Sequence, residues 1–335
     1  MSKYKRVTLK DIAMATGYST VTISKALRDR NDLAKDTKEL IRQKADEMGY
    51  VPNSAANALR FGHTRMLALT LVDISNPYWG RFAKCADQIA NAYGYTTMIM
   101  NTEMDGKSEE CAIRTAVERG VDGLIIDPST CYQENVRILQ KMGIPFVVAG
   151  YVGEADRMDA VFFNEGMGAF LAAKRFVEQG RRKLLMLNLP KGLMTEKVRE
   201  AGFLTALREE NIDMSNVRLG NVENGEGECI RVLRSLQKQL PNADGVLAYS
   251  DHRALEVADE LISQGIRIPE DVAVIGFGDL ESHLRIPYSL TTLHMSPIDT
   301  ATEAMELLIK RIQGKLAPEP IHIQIPTHIV LRRSC

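Results

Sequence analysis

No stretch of the sequence is long and apolar enough to form a membrane-spanning helix, so no embedding in a bilayer is expected. The five cysteines, Cys85, Cys111, Cys131, Cys229 and Cys335, are scattered and form no C-x-x-C. Such an odd, dispersed set argues against a disulfide framework and fits a reducing cytoplasm. The basic N-terminus, "MSKYKRVTLKDIA", lacks the apolar run of a secretory signal. The six histidines show no H-E-x-x-H or comparable metal spacing. Neither G-x-S-x-G nor the phosphate-cradling G-x-x-x-x-G-K-[ST] is present. No metal, no cofactor and no catalytic residues are therefore expected, and an enzyme is not the expected class.

What is present is a chain of 335 residues, 45% of them hydrophobic, enough to bury the cores of two or three domains. The net charge of −1 conceals an asymmetry. The first 62 residues hold 12 Lys and Arg against 7 Asp and Glu, a net of +5, and the remainder hold 30 against 36, a net of −6. A small basic head on a larger acidic body points to a polyanionic partner for the head alone.

The head has the local chemistry of short helices. In "TLKDIAMATGYSTVTISKALRD", Thr8 can cap a helix with Asp11 three residues on as its capping-box partner. Leu9, Ile12 and Ala13 then recur at helical spacing until Gly17 ends the run. Ser19 can cap a second helix whose apolar positions are Val21, Ile23, Ala26 and Leu27. Two short helices joined by a glycine turn form a helix-turn-helix pattern. A third helix is predicted in "KDTKELIRQKADEMG", with Leu40, Ile41, Ala45 and Met48 facing inward. The second helix offers Ser19, Thr20, Thr22, Ser24 and Lys25, hydroxyls and a cation with no acid among them, and Val21 can meet a thymine methyl. Simple capping by Ser and Thr is the alternative, and Ser19 can do both.

From Arg65 onward, short apolar strand runs alternate with helical runs. "MLALTLVD", "YTTMIMN", "DGLIIDP" and "IPFVVAG" read as buried parallel strands, and the pattern restarts at "AVFFN" and continues through "KLLMLN", "VRLGNV", "GVLAYSD" and "VAVIGFGD". Two doubly wound α/β lobes are expected, with a ligand cleft beyond the strand C-ends. "DISNPYWG", ending the first strand, supplies Ser75, Asn76, Tyr78 and Trp79 as hydrogen-bonding and aromatic candidates, and Asp127 ends another strand. Ordinary packing at the lobe interface is the alternative for Trp79.

The stretch "VTLKDIAMATGYSTVTISKALRDRNDLAKDTKELIRQKADEMGYVPNSAANALRFGHTRMLALTLVDISNPYW" strongly resembles the LacI/GalR family of bacterial transcriptional regulators. The resemblance continues through "RIPEDVAVIGFGD", "LTTLHMSPIDTATEAMELL" and the closing "LRRS". It implies an all-α helix-turn-helix head over residues 1–50, a hinge over 51–63 and a periplasmic-binding-protein-like body over 64–335. The body would divide into a first lobe of about 64–161 and 292–319 and a second of about 162–291 and 320–335. It implies a DNA-binding transcriptional regulator, most often a repressor, acting on a pseudo-palindromic operator as a homodimer under control of a small-molecule effector of unknown identity. Regulation by a partner protein and, more remotely, a solute-binding protein are the alternatives. After "LRRSC" no heptad extension is visible, so the dimer is expected rather than a tetramer.

In such proteins the segment after "GYVPN" folds only on DNA and inserts a leucine into the minor groove, a role that maps onto Leu59 beside Asn53 and Ala56. The physics agrees. "PNSAANALRFG" is too short and too poor in large apolar residues to fold alone. An apolar wedge can unstack a base step at a cost of about a few kcal/mol, offset by added contacts. Thr20, Val21 and Lys25 would read the major groove, with Thr8, Ser19, Thr22, Ser24 and Asn53 on phosphates and Arg28 and Tyr50 in support. In the body, Arg199 in "VREAGF" matches an arginine that commonly holds effector oxygens, a surface helix charge being the alternative. Asp251 in "YSDHRA" matches an aspartate near the cleft, with helix capping as its alternative.

Four positions depart from the family pattern. Gly278 in "GFGD" replaces an aspartate that often bonds a sugar hydroxyl or ring nitrogen, and Val222 replaces a stacking aromatic. Asn164 stands for the usual crossover aspartate, and Ala34 for the serine N-cap of the third helix. Losing a charged acceptor and a stacking ring predicts an effector that is not a simple neutral monosaccharide, or one held mainly by Tyr78, Trp79 and Arg199.

Overall fold

A computed structural model describes residues 7–28, 32–51, 62–129, 132–153, 157–223, 225–280 and 289–335, which fall into two units, 1–64 and 65–335. The expected hinge residues Asn53, Ala56 and Leu59 lie outside the described residues.

In the head, helices α1 (Leu9–Thr16), α2 (Thr20–Leu27) and α3 (Lys35–Glu47) form in the expected order. The capping box is complete. Asp11 accepts from the Thr8 backbone N–H at 2.8 Å, and Thr8 Oγ1 accepts from the Asp11 N–H at 3.4 Å. Ser19 Oγ accepts from Thr22 N at 3.1 Å, so this serine does cap α2. Ile12, Ile23, Ala26, Ile41 and Ala45 make the buried core, with Leu9, Leu27, Met48 and Tyr50 packed around it. Leu40, expected to face inward, is 51% exposed, and Val21, the candidate for a thymine methyl, is 63% exposed. With so few buried apolar side chains, each short helix covers only a narrow stripe, and both residues lie outside it. Ala34 is the N-cap of α3 and makes no side-chain cap bond. Asp32 accepts from Lys25 Nζ at 2.6 Å.

The body contains two six-stranded sheets. The first runs β11 (His322–Ile325), β5 (Ala160–Phe163), β4 (Phe146–Ala149), β3 (Gly123–Ile126), β1 (Met66–Leu71) and β2 (Thr96–Asn101), all parallel. The second runs β12 (His328–Val330), β10 (Thr291–His294), β9 (Ala273–Phe277), β8 (Gly245–Ala248), β6 (Leu184–Asn188) and β7 (Val217–Asn221), parallel except for β12 against β10. Both faces of each sheet are covered, which is why the strands read as unbroken apolar runs. On β1, Leu67, Leu69 and Leu71 meet α4 (Pro77–Ala92) and α11 (Pro297–Ile312). Ala68 turns to the opposite face, where α5 (Gly106–Glu118) and α6 (Tyr132–Met142) lie. The second sheet is held between α7 (Glu165–Glu178) with α8 (Met194–Glu209) on one face and α9 (Glu228–Gln239) with α10 (Asp251–Ser263) on the other.

The strand assignments revise the expected lobes. "AVFFN" does not open the second sheet. It is β5, which pairs in parallel with β4 and β11 in the first. β10, expected from residue 292 in the first lobe, belongs to the second sheet, and β11, expected in the second lobe, belongs to the first. The chain therefore changes lobe after β5, between β10 and α11, and between β11 and β12. Strand existence follows from local apolar runs, whereas the partner is decided by packing beyond the run itself, in β5 and β11 between residues 162 positions apart.

One close approach between helices sets the wall of the second lobe. A Cβ on Gly202 of α8 would stand 2.0 Å from the carbonyl oxygen of Gly166 in α7. Glycine lets these two helices meet backbone to backbone, which brings the start of α7 within reach of the side chain of Arg199.

Candidate functional site

The head presents its chemistry on α2 and its flanks. Thr8, Ser19, Thr20, Val21, Lys25 and Arg28 are exposed, and Thr22 and Ser24 are half-buried. The Ser19 and Thr22 hydroxyls lie 2.9 Å apart. Tyr50 is half-buried against the head core, so it supports the fold as well as any contact. The exposed row is one of hydroxyls, a branched methyl pair and two cations, the side chains that meet phosphates and base edges.

The body has a cavity of about 150 Å³ at the C-terminal ends of the strands, walled by both lobes. Asn76, Tyr78, Trp79, Asp127, Arg199, Asp251 and Gly278 line it. Ser75 and Val222 do not. Ser75 is exposed and donates to Asp73 Oδ1 at 2.6 Å. Val222 is fully buried among Leu187, Val232 and Leu233, because alternation along β7 turns it toward α9.

On the first lobe, Asn76 caps α4 by accepting from Tyr78 N at 3.1 Å, which fixes the turn after β1. Tyr78 and Trp79 meet edge to face with ring centres 4.9 Å apart, and Trp79 packs on Phe82 at 5.3 Å. Trp79 is thus both cleft wall and core packing. The Tyr78 hydroxyl faces Thr300 Oγ1 at 3.4 Å, and burial pushes its phenol well above the ordinary range. Asp127, at the end of β3, is 7% exposed and accepts from Val72 N at 3.1 Å. Burial, with Glu109 and Glu165 adding like charge, raises its carboxyl well above the usual value.

On the second lobe, Arg199 is a buried residue rather than a surface charge. It is 4% exposed, donates through Nε to Glu165 Oε2 at 2.7 Å and through Nη1 to the Tyr249 carbonyl at 2.7 Å. Its guanidinium carbon stands 3.8 Å from the centre of the Phe277 ring. Glu165 and Phe277 both line the cavity and were missed by sequence reasoning. Glu165 directly follows the crossover position Asn164, which was the available signal. Asn164 itself caps α7, accepting from Met167 N at 3.0 Å. Asp251 does not cap α10, since Ser250 does so. Its carboxyl accepts from Leu280 N at 2.6 Å and from Thr292 Oγ1 at 2.5 Å. Burial raises it to about 6 against those bonds.

Gly278 has φ +127°, a conformation that L side chains rarely adopt. The missing acceptor is therefore built into the backbone, and an aspartate there would be strained. Asp279 does not replace it. Burial works against its ionisation, but Arg332 and His294, the latter at 2.8 Å, hold this carboxyl below the usual value.

A basic helix-turn-helix and a two-lobed α/β body on one chain match two family models. Residues 8–53 match the bacterial regulatory proteins of the lacI family, and residues 173–335 match the periplasmic binding protein-like domain. The ribose operon repressor of Halalkalibacterium halodurans is 29% identical over 329 residues, covering 98% of this chain and 96% of that protein. The transcriptional repressor PurR of Aliivibrio salmonicida is 27% identical over 331 residues, covering 98% of each. The chain belongs to the LacI family. It is a DNA-binding transcriptional regulator and not an enzyme. The fold agrees with a lac repressor dimer structure bound to operator and an anti-inducer, with a TM-score of 0.84 at 19% identity over 98% of this chain and 99% of that one. No helix among the described residues of this LacI-family chain is long and apolar enough to cross a membrane.

Proposed function

We propose that this chain is a cytoplasmic repressor that grips an inverted-repeat operator as a homodimer, and that a small molecule closing the cleft changes that grip. The observation that carries it is the exposed face of α2, where Thr20, Val21 and Lys25 stand clear of the head core behind the Ser19 cap. Thr20, Val21 and Lys25 enter the major groove, while Thr8, Ser19, Thr22 and Ser24 set the register on phosphates. Leu59, with Asn53 and Ala56, takes the minor groove. The cleft supplies the second half of the mechanism, because a ligand touching both lobe walls favours the closed arrangement by its differential affinity. Coupling of this kind is typically about 1–3 kcal/mol.

Gel retardation of an operator fragment tests this. If the dimer neutralises about six phosphates, affinity falls on the order of a thousandfold between about 50 and 200 mM salt. Leu59→Ala is expected to weaken operator binding much more than binding to random duplex. A flat salt dependence would remove the phosphate-gripping head, and equal losses on the two DNAs would remove the wedge.

A further inference from the structure

We propose that the cleft takes a small organic cation, a primary ammonium carried on a compact ring or apolar body, with Asp127 as its counter-ion. This rests on the cleft being the effector site and names the class of ligand it takes.

The polar groups of the wall are mostly committed to one another. Arg199 is engaged by Glu165 and the Tyr249 carbonyl, Asp251 by Thr292 and Leu280, and the Tyr78 hydroxyl faces Thr300. Glu165 and Asp127 each keep one carboxyl oxygen without a partner among the described residues. Arg199 takes only Oε2 of Glu165, and in Asp127, 93% buried on the cavity wall, one oxygen accepts from Val72 N. A strong acceptor in a buried cavity requires a donor from the ligand.

The surroundings choose a charged donor over a neutral one. The acidic groups that face Asp127 are Glu109 on α5 and Glu165 on α7, with the Tyr78 phenol on α4. Glu165 already neutralises Arg199. Glu109 is held by Ser129 N at 2.7 Å and Asn135 Nδ2 at 2.8 Å. A cation is the species that relieves like charge there. The remaining wall is largely apolar, including Val72, Trp79, Val161, Phe163 and Leu193. A polyhydroxylated neutral ring would leave hydroxyls unmatched on that wall, at a cost in affinity. A cavity of about 150 Å³ matches one small ring, and the Tyr78 and Trp79 rings add cation–π attraction.

Burial and the nearby carboxyls of Glu109 and Glu165 raise the Asp127 carboxyl above its usual value, and an ammonium beside it favours the ionised form, so the amine's affinity should rise with pH through the range in which that carboxyl ionises.

The test uses the full chain and the matched pair benzylamine and benzyl alcohol, titrated calorimetrically near neutral pH. The amine is expected to bind at least about tenfold more tightly, roughly 1.4 kcal/mol. Asp127→Asn should abolish that preference. Equal affinities, no binding of the amine, or a preference that survives Asp127→Asn overturns the proposal. A neutral hexose or purine that binds one per chain, shifts operator affinity and ignores Asp127→Asn also overturns it while leaving the effector cleft intact. If no metabolite alters operator affinity yet benzylamine shows the Asp127-dependent preference, the effector reading fails and the cation site stands.

Discussion

Arg199→Ala is expected to destabilise the body by about 3–5 kcal/mol, the usual cost of breaking a buried ion pair by removing one partner. Arg199 and Glu165 approach to 2.6 Å, and both are almost fully buried. The substitution strands Glu165 without its cation, frees the Tyr249 carbonyl and removes the guanidinium from the Phe277 ring. Urea unfolding followed by the signal of the single tryptophan, Trp79, which lies in this unit, reads the change. Replacing the pair together, as Arg199→Met with Glu165→Leu, should recover most of the loss, because two apolar groups leave no buried charge. A loss below about 1 kcal/mol for Arg199→Ala would mean that the pair is solvated and behaves as a surface bridge.

Ile23→Ala is expected to lower DNA affinity at least about a hundredfold by unfolding the head. Ile23 is fully buried in a core whose buried members are Ile12, Ile23, Ala26, Ile41 and Ala45. Truncating such a side chain costs about 2–5 kcal/mol, which is comparable to the whole stability that so small a core supplies. The body's unfolding transition should be unchanged. Val21→Ala, two residues earlier, provides the contrast. Val21 is 63% exposed, so stability should move by no more than about 0.5 kcal/mol while operator preference changes at the base pair it meets. Calorimetric unfolding alongside DNA titration separates the two effects. Retention of both head stability and DNA affinity by Ile23→Ala would contradict the three-helix core.

The parts of the molecule that were legible are those set by local chemistry. Thr8 and Asp11 stand three residues apart, as a capping box requires, Ser19 caps α2, and Gly17 ends α1. The buried strands were visible as apolar runs because helices cover both faces of each sheet. The parts that were not legible depend on partners remote in sequence. β5 and β11 pair across 162 positions at His322 and Ala160, and no local pattern announces that choice. Glu165 escaped notice because its partner lies 34 residues away. Leu40 read as core because an apolar residue at helical spacing cannot show how narrow the covered stripe is. Arg199 was legible only through the family resemblance, and its burial by Glu165 and Phe277 came from the close helix contact at Gly202 and Gly166. Val222 and Gly278 were both marked as departures. One is core and the other is held by its own backbone, so neither could restore the missing sugar contacts by a change of rotamer.

The most direct measurement is the ratio of affinities for a recovered genomic site and for random duplex of equal length, at about 0.15 M salt. The sites are to be recovered by incubating the purified chain with fragmented DNA. They are expected to carry an inverted repeat, with a preference of about a thousandfold or more that is lost when either half-site is scrambled. Recovery of fragments with no shared symmetric element, bound no better than random duplex with or without candidate metabolites, would contradict a dimeric, operator-gripping head.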